Sequence, residues 1–538
     1  MSADPPNPDD PNVDVPATGS RTLLKKSAIV SVMTLSSRIL GLVRDVVFAR
    51  MFGASLVMDA FLVANRIPNM LRRFFAEGAF SQGFVPVMAR YRETHSEAEA
   101  REFAAAVAGT LGLVLFVVTV IGVVAAPVLV AIVAPGFIGD DGRFDLATLM
   151  LRFTFPYLLF VSLTAFAGGV LNTYGRFAVP AFTPVLLNVV LISFAVWLAP
   201  TLEEPGMALA YAVLVAGIVQ LAFQLPYLRA ISMLSWPRWR PAHDGVKRVV
   251  RLMLPAIFGS SVAQLNILIG GILASLLGVG KISLLYYADR LMEFPLGIFG
   301  IALATVTLPY LSRQHATESR AAFAATLDWS MRLVVLISLP AAVGLIVLAE
   351  PLVATIFYGG AFTENDVELA GLALQAFSIG LIGFSYVKIL APAYFAREDT
   401  VTPVRVGLVA LAVNFLLSVA LVVDLTRIDY AGTHAGLALA TSVAALLNAA
   451  LLYRGLNREG VLNPVPGWPA FLLRLVVANV AMCAILWTLG KPLDWWLAAS
   501  LAGRVVELAI EIGPGAGVYL AVLVMSGLRP SHLGMRPH

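Results

Sequence analysis

The chain has 538 residues, 59% of them hydrophobic and only 13% charged, with a mean hydropathy of +0.85 and a formal net charge of +4. A soluble globular domain carries about a quarter charged residues, so this composition excludes one and implies a polytopic membrane protein. The single cysteine, Cys483, sits in an apolar run and rules out a disulfide framework, and the dispersed basic residues form no exposed domain for nucleic acid.

Residues 1–20, MSADPPNPDDPNVDVPATGS, are rich in Pro and Asp and lack the basic start and apolar run of a signal peptide, so they read as a disordered tail. Apolar runs of roughly 18 to 30 residues then predict fourteen membrane helices, since about 20 residues span the hydrocarbon. They lie at 24–52, 57–89, 102–134, 147–174, 178–200, 206–229, 249–277, 282–311, 322–357, 367–395, 402–423, 434–454, 467–489 and 496–527. In the last, Arg504, Glu507 and Glu511 share a face and Gly513-Pro514-Gly515 interrupts the pattern, so Leu493 to Ile512 reads alternatively as a surface helix.

With the N-terminus inside, the tails and inner connections carry 21 Lys and Arg, against four outside: Arg143, Lys281, Arg427 and Lys491. That asymmetry orients the chain with both termini in the cytoplasm. Self-similarity appears at a spacing of about 220–230 residues: FVPVMARY (84–91) with TLPYLSRQ (307–314), Tyr174–Pro184 with Tyr394–Pro403, and GMALA (206–210) with GLALA (436–440). Six spans per copy preserve orientation, so the repeats are expected to be parallel. The expected fold class is an all-α polytopic membrane protein with an N-lobe at 21–230, a C-lobe at 231–460, an added helix pair at 461–527 and a tail at 528–538.

Twelve basic residues fall inside spans. A charge at the centre of a membrane helix costs about 2.5–3.5 kcal/mol, so several facing lipid would cost on the order of 15 kcal/mol. They face a protein interior or water, either as structural ion pairs or as a functional cluster. Span 2 is polar along one side: Asp59, Arg66, Arg73 and Glu77 fall within about 40° of one another, beside a stripe of Asn65, Asn69 and Arg72. Pro68 rotates these stripes, leaving open whether Arg72 or Arg73 faces a cavity. Arg38 and Asp45 share a face of span 1, with Arg44 adjacent. In YYADRLMEFP, Glu293 stands one turn from both Asp289 and Arg290, a spacing that also suits a local ion pair. Lys388 stands alone in GFSYVKILAP.

Convergent Arg38, Arg44, Arg72 and Arg290 suit a diphosphate, because the planar guanidinium matches phosphate oxygens; the expected ligand is an anion. Acids in the same cavity would exchange for it or for a coupling cation. Gly278, Gly280 and Lys281 lack the spacing of a P-loop, and no HExxH, nucleophile elbow or cysteine pair occurs, so an enzyme or a bound cofactor is not expected. The six His residues are scattered.

The segments SRILGLVRDVVFARMFG, MDAF, LRRFFAEGAFSQGFVPV, YYADRLMEFPLGIFGIALATVTLP and VKILAPAYFAREDTVTPV closely resemble the MurJ (also called MviN) lipid II flippase family of the multidrug/oligosaccharidyl-lipid/polysaccharide exporter superfamily. The resemblance covers nearly all of residues 21–527 and is most specific from 37 to 87. It implies two six-helix lobes around a V-shaped cavity, with the last two helices forming a groove for a lipid tail. It implies lipid II, undecaprenyl-diphospho-MurNAc-pentapeptide-GlcNAc, as substrate, moved across the bacterial inner membrane for peptidoglycan synthesis. The family's functional positions fall on Arg38, Arg44, Asp59, Arg72 and Arg290, with Glu77, Glu293 and Lys388 as further cavity positions. Spacing adds Asp45, Arg73 and Asp289 as cavity or gating residues. Membrane potential or an unidentified coupling ion is expected to bias the cycle. The competing readings are an exporter of another polyprenyl-linked glycan or an amphipathic drug, and a non-transporting scaffold for cell-wall or division proteins.

Overall fold

The structure, a computed structural model, describes residues 17–73, 78–139, 142–297, 319–428, 430–462 and 466–528. Among these the chain is all helical, apart from turns and one isolated bridge between Gly359 and Phe362. The first half contains α1 (Ala17–Phe52), α2 (Leu56–Arg72), α3 (Ala79–Thr94), α4 (Glu97–Val124), α5 (Ala126–Val133), α6 (Arg143–Thr154), α7 (Tyr157–Thr173), α8 (Ala178–Ser193) and α9 (Met207–Ala230). The second contains α10 (Asp244–Ser275), α11 (281–297), α12 (Arg320–Val347), α13 (Ala349–Ile356), α14 (Glu364–Ile379), α15 (Leu381–Phe395), α16 (Val401–Arg427) and α17 (Thr433–Arg458). Then come α18 (Trp468–Leu489), the short α19 (Leu493–Ala498) and α20 (Leu501–Met525).

Local chemistry sets where helices start and break. Ser55 opens α2 by accepting a hydrogen bond from the Met58 amide at 3.3 Å, and Ser96 with Glu99 and Thr363 with Asp366 form capping boxes on α4 and α14. Pro127 stands in the first turn of α5, Pro156 precedes α7, and the chain bends by 40° at Gly380 between α14 and α15. Several expected single spans are therefore two helices end to end.

Much of the first half is matched in the second among the described residues. The 28-residue α4 and eight-residue α5 are repeated as the 28-residue α12 and eight-residue α13, and the pair α6–α7 as α14–α15, at the spacing of about 220 residues seen in the sequence. Packing repeats too: α1 lies on α8 and α8 on α9, as α10 lies on α16 and α16 on α17. Helix α10 also packs along α3, joining the halves.

Nine helices among the described residues are long and apolar enough to cross a membrane, or ten with the bent pair α14–α15. The other four expected spans fall on α1, on α2 with α3, on α10, and on α11 with residues outside the described set. The count of fourteen therefore rests on the sequence.

Two expectations are corrected. Helix α20 runs unbroken through Pro514 and packs along α18, so Leu493–Ile512 is not a surface helix. Its buried charges are partly satisfied internally: Arg504 donates to the Ala354 and Leu497 carbonyls at 3.1 and 3.0 Å, and Glu511 accepts from the Lys491 amide at 3.3 Å, while Arg504 Nε and Glu511 Oε2 have no hydrogen-bond partner among the described residues. Arg143, expected in an outer connection, is the buried first residue of α6, its guanidinium 4.7 Å from the Phe137 ring centroid.

The main core reaches across both halves at the end of the molecule where α1 turns into α2. Phe48 and Phe61 meet there edge to face at 5.7 Å, and Tyr287 packs 5.0 Å from Phe357. Aromatic side chains bury about 150–250 Å² each, so this cluster is the strongest apolar tie between the halves.

Candidate functional site

At that same end, Asp59 sits one turn into α2 with no solvent exposure. Its carboxylate accepts from the Gly280 amide at 2.6 Å, the Ser283 amide at 2.9 Å and the Ser283 hydroxyl at 2.6 Å, so it caps the N-terminus of α11. Orphan amides and the helix dipole both favour a negative group in that place. Arg143 adds a cation 4.0 Å away. Gly280 makes the approach possible: its φ is +82°, and a Cβ there would lie 2.5 Å from the Ala54 carbonyl oxygen. Gly53, at φ +60°, presses equally closely on Ala361, whose amide donates to the Arg50 carbonyl at 2.7 Å. The turns α1–α2, α10–α11 and α13–α14 are thereby sealed together.

Two to three turns further along, α1 and α11 build a second polar contact between the halves. Arg44 donates to Asp45 Oδ1 through Nε at 3.0 Å and Nη2 at 2.7 Å, and to the Tyr286 hydroxyl at 3.2 Å. Its Nη1 donates to Asn188 Oδ1 at 3.0 Å, and the Asn188 amide donates to the Ser37 carbonyl at 3.1 Å. The Tyr286 hydroxyl donates to Asp45 Oδ1 at 2.7 Å, and Arg290 Nε lies 3.7 Å from Asp45 Oδ2. Arg290 also pairs with Glu293 at 2.9 Å and lies 4.9 Å from the Tyr286 ring centroid. One carboxylate thus stands between guanidinium groups from both halves.

Accessibility rises away from the sealed end. The Asp45 side chain is 3% exposed, Arg290 39% and Glu293 51%. Beyond them Arg38 is exposed and lies against the backbone of Gly297, where a Cβ would come within 2.8 Å of its Nη1. Lys388 on α15 lies in the electrostatic field of Glu293 and Arg38, and Asp289 in that of Glu293 and Arg290.

The structure therefore gathers Arg38, Arg44, Asp45, Asp289, Arg290, Glu293 and Lys388. Asp59 stands apart at the sealed end. On α2, Arg72 is half-buried and Arg73 exposed at the helix C-cap, and Glu77 lies outside the described residues. Asn188, Tyr286 and Ser283 were not singled out from the sequence, because a polar residue in an apolar run carries no mark of its distant partner, and Gly280 was weighed there only against a P-loop. Among the described residues no three His, Cys, Asp or Glu converge to hold a metal ion.

Beside this cluster is an apolar cavity of about 770 Å³ between α1, α11, α12, α13, α18 and α20, lined among others by Leu42, Phe294, Leu345, Met482 and Tyr519. A charged cluster next to an apolar cavity suits an amphipathic anion.

The family model described as lipid II flippase MurJ matches residues 48–506. The chain belongs to the MurJ family of lipid II flippases. It is 46% identical over 520 residues to a probable lipid II flippase MurJ of Vibrio cholerae, covering 95% of this chain and 98% of that one. With the lipid II flippase MurJ of Burkholderia cenocepacia it shares 41% identity, over 96% and 99% of the two chains. Among solved structures, a lipid II flippase MurJ in an inward closed conformation is similar with a TM-score of 0.76 at 25% identity, covering 93% of this chain and 98% of that one. An inward-facing multidrug resistance MATE family transporter of the MOP superfamily, at TM-score 0.62 and 15% identity, covers 81% and 98% and shares the fold. MurJ membership agrees with the resemblance carried by the motifs, and makes this chain a multi-pass membrane transporter rather than an enzyme.

Proposed function

We propose that this chain moves lipid II from the cytoplasmic to the outer leaflet of the bacterial inner membrane by alternating access between an N-lobe (21–230) and a C-lobe (231–460). The observation that carries the reading is the Arg44–Asp45–Tyr286–Arg290 contact between the halves, closed toward the Asp59 end and accessible toward Arg38. Asp45 occupies the place a phosphate oxygen would take between two guanidinium groups. A diphosphate entering past Arg38 would displace it and gain charge-assisted, bidentate hydrogen bonds.

Sugars and diphosphate cannot cross hydrocarbon unsolvated, whereas the polyprenyl tail can stay in it. The apolar cavity beside α18 and α20 fits that tail. Release outside then requires the Asp59 cap on α11 to break, together with the glycine contacts around it. Asp289, Glu293 and Lys388 are the groups on which a coupling cation or the membrane potential would act, and Arg72, Arg73 and, from the sequence, Glu77 are assigned to the same cycle as further cavity or gating residues.

The deciding experiment is depletion of the protein followed by measurement of lipid II sidedness. Lipid II accumulates on the inner leaflet if the proposal holds. Unchanged sidedness, or movement in reconstituted vesicles of other lipid-linked sugars but not lipid II, rejects it.

A further inference from the structure

A second basic pocket lies at the end of the molecule where α12 and α18 begin and α20 finishes. Its volume is about 270 Å³, and Trp329, Arg332, Ala470, Phe471, Arg474 and Leu528 are among its walls. Arg332 is already balanced: its Nε donates to Asp328 Oδ2 at 2.9 Å, and its guanidinium lies 5.1 Å from the Trp468 ring centroid and 5.7 Å from that of Phe471. The Trp468 indole donates to Asp328 Oδ1 at 2.7 Å, which uses the other oxygen of that carboxylate.

Arg474 differs. It is half-buried and makes no hydrogen bond or ion pair among the described residues. Among the described residues the pocket therefore holds one positive charge without a counter-charge, beside largely apolar walls, and an anion joining it would be favoured. Gly467 precedes α18 without any side-chain cap, so the first-turn amides and the positive end of the helix dipole add to the preference for an anion. Indole rings beside a cation are also the usual make-up of a membrane–water interface.

Size and continuity narrow the ligand. The pocket is smaller than one for a drug-sized molecule, which suits a phosphoglycerol head and not a disaccharide bearing a pentapeptide. Leu528 lines both this pocket and the large apolar cavity, so the two adjoin. We propose that Arg474, with Arg332 beside it, binds the phosphate of an anionic bilayer phospholipid whose acyl chain lies against Leu333, Ala470 and Leu528. The bound lipid is a resident of the C-terminal helix pair, not transported cargo. This site stands on its own geometry and does not depend on what the transporter carries.

The test is lipid retention by the full chain in nanodiscs of phosphatidylcholine containing a minor share of phosphatidylglycerol, extracted gently and counted by native mass spectrometry. Wild type retains one phosphatidylglycerol that Arg474→Gln loses with about tenfold weaker retention, while Arg474→Lys keeps part of it. Because Arg474 has no partner to lose among the described residues, both variants are expected to keep the wild-type elution volume and unfolding temperature. A polyprenyl diphosphate added in excess leaves the phospholipid in place. Equal retention by wild type and Arg474→Gln, equal retention of phosphatidylcholine, or displacement by the polyprenyl diphosphate overturns the proposal. None of these readouts involves transport, so failure here is distinct from failure of the flippase reading.

Discussion

Asp45 holds Arg44 and Arg290 close enough that, without a carboxylate between them, they would repel. Its position predicts a split between variants. Arg44→Lys keeps the charge but loses the fork that reaches Asp45, Tyr286 and Asn188 together, so lipid II movement falls about tenfold or more, the equivalent of roughly 1.4 kcal/mol. Tyr286→Phe removes one hydroxyl that donates to a carboxylate and receives from a guanidinium, a loss of about 1.5–3 kcal/mol from the contact between the halves. Vesicle assays of labelled lipid II check both; wild-type rates in either variant would show that the cluster is a structural tie only. Much of this site was legible beforehand, because Arg38, Arg44, Asp45 and Arg290 are charges in apolar runs and such charges stand out. Their partners did not stand out: Asn188 is 144 residues from Arg44, and Tyr286 is 242.

Helix ends carry the next level of control. The N-terminus of α11 is capped from another helix, by Asp59, whereas α4 and α14 cap themselves. Gly280→Ala places a Cβ against the Ala54 carbonyl at a positive φ, so it loosens the sealed end and lowers the thermal stability of the purified protein. An unchanged unfolding temperature would mean that the turns are not pressed together. Asp399, in the turn between α15 and α16, accepts from the Val401 and Thr402 amides at 3.0 Å each. Hydrogen bonds from Thr402 hold its carboxyl below the usual range. Its contribution is therefore fully present above the unfolded value of about 3.9 and disappears as pH falls through the lower folded value. Asp399→Ala is expected to cost about 1 kcal/mol at neutral pH, with the difference from wild type closing below about pH 4. Equal stability at neutral pH would remove the cap from the account. Sequence periodicity located nine or ten spans that the described helices match but not these breaks, since a helix interrupted at Pro127 or Pro156 is as apolar as an unbroken one. It also left Arg143 in a connection, because nothing near it in sequence announces Asp59.

Across the whole molecule, the two halves touch along α3 and α10 and, at the sealed end, through an apolar cluster, the Asp59 cap and the Asp45 contact, and these last three must yield if the sealed end is to open. The Asp59 cap and the Asp45 contact both depend on charge, but only the cap lies away from the proposed substrate path, so Asp59→Asn tests opening without touching that path. Asn keeps an acceptor oxygen for the α11 amides but loses the charge that strengthens each bond and the attraction to Arg143. A loss of even about 1.4 kcal/mol shifts the ratio of sealed to open molecules tenfold. Spin labels report it directly on a Cys483→Ala background, one at Ile138→Cys and one at Ile428→Cys. Both positions are exposed at the sealed end, in the first and second halves respectively. Gly136 abuts Ser275 beside the first, and the Lys281 ammonium donates to the Ala431 carbonyl at 2.7 Å beside the second, so their separation follows the seal. In wild type the distance distribution is expected to be narrow; in Asp59→Asn a second, longer component grows at its expense, while the unfolding temperature changes little. If the distribution stays single and unchanged, the cap does not hold the sealed state, and the aromatic cluster around Phe48, Phe61 and Tyr287 must hold it with the Asp45 contact.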